Sequence, residues 1–431
     1  MMRKVAQKTR KQLNNAIKSV EKRKVDFTQN PEKDFTRRRK LPFELVINST
    51  LALGGQSLPI EIMQNFNYDA KMPTVSAFIQ QRDKISPEAF KTIFRNFSVQ
   101  IPKTYKGYRL LAGDGSDVNI SHNPADKDTH FPRKNGGKGF NQLHLNAMFD
   151  LLNKQYADML VQPACKENER RAMAEMIDNS AIKDAILICD RGYENYNLFA
   201  HLSEKGWKYL VRIKDVKSTG IAQRLSCPKG EFDEVYTLQL TRRQTNEIKQ
   251  NPDIYRFLPA NVIFDYLAPK SKGFYTLTFR VVRFKITDNT YETIITNLDK
   301  INFPPSEIKA LYRMRWGIET SFRELKYAIG LSHFHSKKSN LVLQEIYARL
   351  IMYNFCMAIA LQVVVQKKHT KYGYQVNFTV AISICRDFFR GKAPPNIEQI
   401  IERHILPIRE NRADIRKIST KSFVSFLYRV A

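Results

Sequence analysis

Cysteine is scarce in this chain: Cys165, Cys189, Cys227, Cys356 and Cys385 are five in 431 residues, an odd number with no Cys-x-x-Cys pair. That argues against a disulfide framework and a thiolate zinc site, and the five read as reduced core residues. Histidine is thin too, at eight scattered positions, and although His333 and His335 lie two apart, no cysteine joins them to make a zinc site. Long apolar runs are missing. The longest, Leu350 to Val365, is short for a bilayer span and carries Asn354 and Gln362, so it reads as a buried core helix. The opening stretch, MMRKVAQKTRKQLNN, has charge but no apolar segment, so no signal peptide is expected and the protein should stay in the cytosol. Acidic residues are also in deficit: 42 Asp+Glu against 70 Lys+Arg leave a formal charge of +28. So basic a balance implies a polyanionic partner, most economically nucleic acid; the competitor, an anionic membrane, would require an amphipathic anchor or a spanning helix.

What is present is a globular composition, 43% hydrophobic and 11% aromatic, in a chain long enough for about two to four domains. Residues 1–40 hold 14 Lys/Arg and 4 Asp/Glu, which reads as a solvated, mobile basic arm, or as a phosphate-contacting one beside a DNA-binding body. From Leu41 to about Phe97 the pattern is helical, and two short helices joined by Asp83-Lys-Ile85 resemble a helix-turn-helix, with Ser86 as cap and Pro87 opening the second. Strands follow. Tyr108 to Gly113 is expected to end at Asp114-Gly-Ser116, and Leu143 to Asn153 and Tyr156 to Val161 come next. After a helix near Glu167 to Asn179, the wholly apolar Ala185 to Cys189 ends at Asp190-Arg-Gly-Tyr193; a helix from Tyr196 to Lys205 and a strand from Lys208 to Lys214 complete the series. The order indicates an α+β fold with a mixed sheet and helices on its faces. Residues 215–290 read as a β-rich insertion in which Arg280, Arg283 and Lys285 interrupt apolar positions, and residues 367–431, with 13 Lys/Arg against 5 Asp/Glu, as a basic helical region.

The stretch from Pro305 to Gly330 reads as one helix. At about 100° per residue Tyr312, Arg315, Glu319 and Lys326 fall within about 60° of one another, a stripe of one phenol, two cations and one carboxylate. Such a stripe suits phosphate and metal, or equally a surface laced with ion pairs. Asp114 and Asp190, each ending an apolar strand, supply two further carboxylates where strands open into loops. Three such groups suffice to hold two hard divalent cations, which activate a hydroxyl and stabilise the leaving oxygen of a phosphodiester. Asp117 reads as a turn residue just beyond the strand, Asp184 as a solvated strand start and Asp150 as a paired sheet residue.

With these residues in view, the chain resembles the DDE transposases of bacterial insertion sequences, in particular the insertion-sequence-four group with its Tyr-x2-Arg-x3-Glu-x6-Lys signature, which Tyr312, Arg315, Glu319 and Lys326 match without a gap. Asp114-Gly-Ser116 and Asp190-Arg-Gly-Tyr193 resemble the motifs around that group's two aspartates. The resemblance implies a ribonuclease-H-like mixed sheet split by the β-rich insertion. The expected division is a basic arm (1–40), a helical DNA-end-binding domain (41–104), a catalytic core in two parts (105–214 and 291–366) around the insertion (215–290), and the C-terminal region (367–431). It further implies a nucleoid-associated transposase, dimeric on DNA, that cuts its terminal inverted repeats and joins the 3′-hydroxyl ends to double-stranded target DNA. Asp114, Asp190 and Glu319 would be catalytic and would bind two Mg²⁺, for which Mn²⁺ can substitute. Tyr312, Arg315, Lys326 and Arg323 would contact DNA. Trp316 would be either a platform for a flipped base or a core residue. A nuclease on the same core and an inactive DNA-binding repressor are the alternatives.

Overall fold

Five consecutive apolar residues, Ala185–Cys189, present side chains to both faces of a strand and so need cover on both sides. The computed structural model, which describes residues 5–37, 39–97, 103–133, 137–216, 218–288, 290–363 and 373–408, places this strand, β5, inside a ten-stranded mixed sheet. The other strands are β1 (Arg109–Ile120), β2 (His130–Phe131), β3 (Phe140–Asp150), β4 (Gln155–Pro163), β6 (Lys208–Ile213), β7 (Phe232–Thr241), β8 (Tyr255–Phe257), β9 (Phe274–Thr287) and β10 (Thr290–Thr296). They lie in the order β2–β3–β1–β5–β6–β10–β9–β7–β8, with β4 also paired to β3. Strands β1, β5 and β6 run parallel, while β3 joins β1, and β10 joins β6, antiparallel.

Alternation along the parallel strands divides the core in two. Leu110, Ala112, Ile186, Ile188 and Leu210 face one cluster; Leu111, Leu187, Cys189, Tyr209 and Val211 face the other, which α6 (Glu169–Asp178) and α7 (Tyr196–Glu204) complete. The strands from residues 215–290 extend the same sheet beyond β10, with the short α8 (Asn246–Gln250) before β8. The arginines that interrupt β9 are buried in ion pairs: Arg280 donates to both oxygens of Asp233 at 2.6 and 2.7 Å, and Arg283 to both of Asp215 at 2.7 and 2.9 Å.

The remaining helices are α1 (Val5–Glu21), α2 (Phe43–Ala52), α3 (Leu58–Asn65), α4 (Val75–Asp83), α5 (Pro87–Asn96), α9 (Pro305–Arg313), α10 (Trp316–Arg323), α11 (Ser339–Ala360), α12 (Phe378–Phe389) and α13 (Ile397–Glu402). Strands β11 (Gly373–Val376) and β12 (Ile405–Ile408) form a separate pair. The apolar run expected to be a core helix lies largely in α11, whose residues are buried on all sides against α1, α2, α5, α12 and β4. No helix among the described residues is long and apolar enough to cross a membrane. The reading of residues 1–40 as a free arm is corrected for its first helix. In α1 the residues Ala6, Leu13, Ile17 and Val20 recur at helical spacing and are buried in the core, a pattern that the surrounding lysines mask in a count of charge. The C-terminal reading beyond Ile408 lies outside the described residues.

The N-terminal helices dock on α11 through buried charge. Arg82, at the end of α4, donates to Glu345 at 3.1 Å and to the Leu341 carbonyl at 3.2 Å, and Gln344 donates back to the carbonyls of Arg82 and Ile85. His335 contributes its backbone N–H and ring Nδ1 to the same glutamate, both at 3.0 Å. Burial works against the Glu345 charge, but Arg82 and His335 outweigh it and hold the carboxyl well below its usual range. Stability from a depressed carboxyl is complete above the unfolded value, 4.5, and is lost as pH falls below it. Arg82→Leu, which removes the guanidinium from the buried Glu345 and leaves His335 as its remaining partner, should lower the unfolding free energy by about 3–5 kcal/mol in urea titrations and weaken this acid dependence. Lys338→Ala, which breaks an exposed pair with Asp83, should change it by less than about 1 kcal/mol.

Candidate active site

Strand β1 does not stop at Asp114. It continues to Ile120 because its outer half pairs with β3, so only its parallel pairing ends there, at Gly113 opposite Cys189. Asp117, read as a turn residue, accordingly lies within the strand. Asp190 follows Cys189 directly, and the two aspartates stand next to each other at the carboxyl end of the parallel pair, on the sheet face of Ala112 and Ile188. Backbone donors orient both: Asp114 Oδ1 accepts the Gly115 N–H at 2.9 Å, and Asp190 Oδ1 accepts the Gly192 N–H at 2.8 Å.

The helix expected from Pro305 to Gly330 is in fact three segments. Between α9 and α10, Met314 and Arg315 bond back three residues rather than four, and after α10 the residues Glu324–Ala328 form a π-helical turn. Tyr353 of α11 holds that turn by donating to Glu324 at 2.8 Å, while Arg386 of α12 takes the Ile329 carbonyl just beyond it. The ideal stripe is therefore broken, yet its members converge on the aspartates. The buried Arg315 places one nitrogen 3.6 Å from Asp114 Oδ2 and the other 2.8 Å from Glu319 Oε1. Lys326 reaches β1, donating to Ser116 Oγ and to the Asp117 carbonyl, both at 2.7 Å. Tyr312 is buried, its phenol pushed up to about 12 by burial, with Arg315 and Arg212 opposing and Asp190 adding to the rise. Arg323 is exposed, and Trp316 is 56% exposed beside the Arg315 guanidinium, so it is not a core residue.

Asp114 titrates at about 6: burial raises it most, the Asp190 and Glu319 charges raise it further, and the Gly115 N–H and Arg315 offset part of the rise. An all-oxygen set whose charges disfavour one another, with one guanidinium as shared counter-ion, has the chemistry a hard divalent cation satisfies. Asp114, Asp190 and Glu319 thus fit such an ion. Among the described residues another group, Asp117, His144 and Glu167, brings its possible ligand atoms within 4.8 Å of one another. It lies on the opposite sheet face, where His144 of β3 sits across from Asp117, with Nδ1 2.7 Å from Asp117 Oδ1 and 2.9 Å from Glu167 Oε2, and Nε2 3.1 Å from Glu169 Oε1. Burial works against the charged ring, but these carboxylates prevail and hold His144 at about 9. At neutral pH the imidazole keeps its proton and acts as the cation of its own cluster.

The sequence reading missed the partner of Lys326, Ser116, and the whole His144 cluster. Each strand shows its own alternation, but the register that sets Asp117 against His144 is visible only once β1 and β3 pair. Asp150 is the paired sheet residue expected, bound by Arg109 at 2.8 Å, and Asp184 is exposed at the start of β5.

Residues 105–355 match the family described as the transposase DDE domain. The chain is 23% identical over 417 residues to transposase InsG for insertion sequence element IS4 of Escherichia coli (strain K12), across 89% of this chain and 87% of that protein. It also aligns with the cryo-EM structure of a piggyBac transposase synaptic complex with hairpin DNA, with a TM-score of 0.47 and 10% identity, over 91% of this chain and 84% of that one.

Divalent-cation affinity should rise with pH by up to about tenfold per unit until about 6 and then level, because the Asp114 proton must leave before the ion binds. Calorimetry should show proton release below that pH, and Asp114→Asn should flatten the profile. On the other face, a Cβ at Gly115 would run into Glu169 Oε1 and His144 Nε2. Gly115→Ala should cost about 1–3 kcal/mol in urea denaturation; an unchanged midpoint would show that the His144 cluster yields freely.

Proposed function

The chain belongs to the transposase DDE-domain family, a DNA-cleaving and strand-transferring enzyme that works with divalent metal, and on that premise we propose that Asp114, Asp190 and Glu319 are its catalytic carboxylates. The observation that carries the proposal is the Arg315 guanidinium, shared between Asp114 at 3.6 Å and Glu319 at 2.8 Å while the Asp190 charge adds to the rise in the Asp114 pKa. We assign the chain to the insertion-sequence-four group, with Tyr312, Arg315, Glu319 and Lys326 as its signature, and we read β4–β3–β1–β5–β6 as a ribonuclease-H-like core.

Two Mg²⁺ or Mn²⁺ ions held by the three carboxylates would supply an activated hydroxyl and stabilise the leaving oxygen of the phosphodiester. The protein's own groups set the geometry. The Gly115 and Gly192 N–H groups hold one oxygen of Asp114 and of Asp190 in place. Arg315, a planar fork, and Lys326, a point charge, present the phosphate of the DNA end beside the carboxylates, and Tyr312 borders them. Arg323 and Trp316 extend this surface outward, Trp316 as a stacking platform for an unpaired base. Residues 41–104 recognise the terminal repeats. Because two ends must be cut together, the working form is a dimer on double-stranded DNA, in the cytoplasm at the nucleoid.

The test is cleavage of a fragment carrying the inverted repeats that flank the gene, with Mg²⁺ and with chelator. Asp114→Asn, Asp190→Asn and Glu319→Gln should each lower cutting by at least about a hundredfold, by analogy with loss of a central charge-stabilising group, while end binding in gel-shift assays persists. Normal cutting by Glu319→Gln would remove Glu319 from the site.

A further inference from the structure

The turn that holds Asp190 also forms one wall of a second feature, on the α6 side of the sheet. An open cleft of about 430 Å³ is lined by Arg170 from the start of α6, Arg191 next to Asp190, Lys214 just beyond β6, and Arg256 from β8. Arg170 donates to the Gly192 carbonyl at 2.8 Å, fastening this wall to the Asp190 turn. The carboxylate in the lining, Glu194, is engaged by the backbone: its oxygens accept the N–H groups of Lys214 at 2.9 Å and Ile221 at 2.6 Å. That contact closes the far wall tightly, since a Cβ on Gly220 would stand 2.6 Å from Glu194 Oε1.

Four cations thus face one cleft against one carboxylate, and Arg256 is 6% exposed, so part of the positive charge lies beneath the surface. Three arginines offer planar forks and Lys214 a mobile charge, a donor set that matches the oxygens of a phosphate better than a planar carboxylate or an apolar ligand. Arg191 follows Asp190 at the end of β5 and Lys214 follows the end of β6, so the cleft opens at the same carboxyl edge of the parallel strands as Asp190, and a strand whose scissile phosphate lies at Asp190 meets the cleft by turning over that edge. We infer that the cleft takes a backbone phosphate of the DNA strand being cut, adjacent to the scissile one. The inference rests on the catalytic assignment of Asp190 for its choice of strand, and it makes the Arg170–Arg191–Lys214–Arg256 set a second anchor that holds the cut strand in register while its neighbouring phosphate lies at Asp114, Asp190 and Glu319.

The experiment pairs the full-length protein with Arg191→Gln/Lys214→Gln, both exposed positions, and checks the fold by circular dichroism. Binding to a fluorescent duplex of the terminal repeat is measured over a range of salt, with single methylphosphonates scanned across the phosphates beside the cleavage point. Neutralising one adjacent phosphate should weaken wild-type binding about tenfold, should have little further effect on the double variant, and the variant's log-affinity against log-salt slope should be shallower by about 1–2. If every methylphosphonate weakens both proteins alike, the inference is overturned. It is equally overturned if inorganic phosphate raises the melting temperature of wild type alone while DNA affinity and salt slope match between the two proteins, which would make the cleft a site for the free anion. Asp190→Asn is run alongside: if it still cuts, the catalytic reading fails, whereas the phosphate coupling is read from binding and is judged without any cutting.

Discussion

Helix α11 is buried from Leu341 onward, and the rest of the structure depends on how its polar groups are satisfied there. A helix apolar on all sides can be covered from every direction, so hydrophobic burial alone would not set which element lies where. The polar groups do. Glu345 and Gln344 receive α4 through Arg82, Arg349 donates to the Gly54 carbonyl after α2, Asn354 pairs with the backbone of Tyr156 on β4, and Tyr353 takes Glu324 in the turn that follows α10. Each leaves an unsatisfied buried group if displaced, so together they fix the register of the N-terminal helices, the sheet and the catalytic helix against a single rod.

The last of these contacts reaches the candidate active site. The π-helical turn at Glu324–Ala328 lets the chain leave α10 and still bring Lys326 onto Ser116 and the Asp117 carbonyl of β1. The extra residue that the turn carries, held by Tyr353, shifts the phase of the residues after it relative to α10. The proposed catalytic carboxylates then come from three different elements, β1, the end of β5 and α10, and Arg315 is shared by two of them, Asp114 and Glu319. Its charge offsets part of the rise, caused first by burial and then by the Asp190 and Glu319 charges, that brings Asp114 to about 6.

The two faces of the sheet divide the labour. Asp114, Ser116 and Asp190 point to the side covered by α10, whereas the residues on either side of Asp114, Gly113 and Gly115, face α6. Both glycines sit where a side chain would collide, with Met173 and Cys189 at Gly113 and with Glu169 and His144 at Gly115. The Asp-Gly-Ser motif therefore reads as the proposed metal-binding Asp114 and the partner of Lys326, separated by a gap that the His144 cluster fills from behind.

The sequence by itself determined the local facts: the apolar strand ending at Asp190, the helix that Ser86 caps and Pro87 opens, the largely apolar run within α11, and the four residues whose spacing singled out Glu319, because each is set by neighbours in the chain. A match over residues 105–355 places the chain among the DDE transposases that those residues resemble. What only the tertiary structure decided was everything that depends on partners distant in sequence. The run of β1 past Asp114 requires β3, the ion pair of Asp117 with His144 requires their register, and the burial of Arg280 and Arg283 requires the aspartates of other segments. The broken helix between Pro305 and Ala328 is the clearest case: its residues have no proline or glycine pair at the π turn to announce a change of pitch, and the turn is held by Tyr353, which enters from another helix. Periodicity reads one element at a time, and long-range packing is where its information ends.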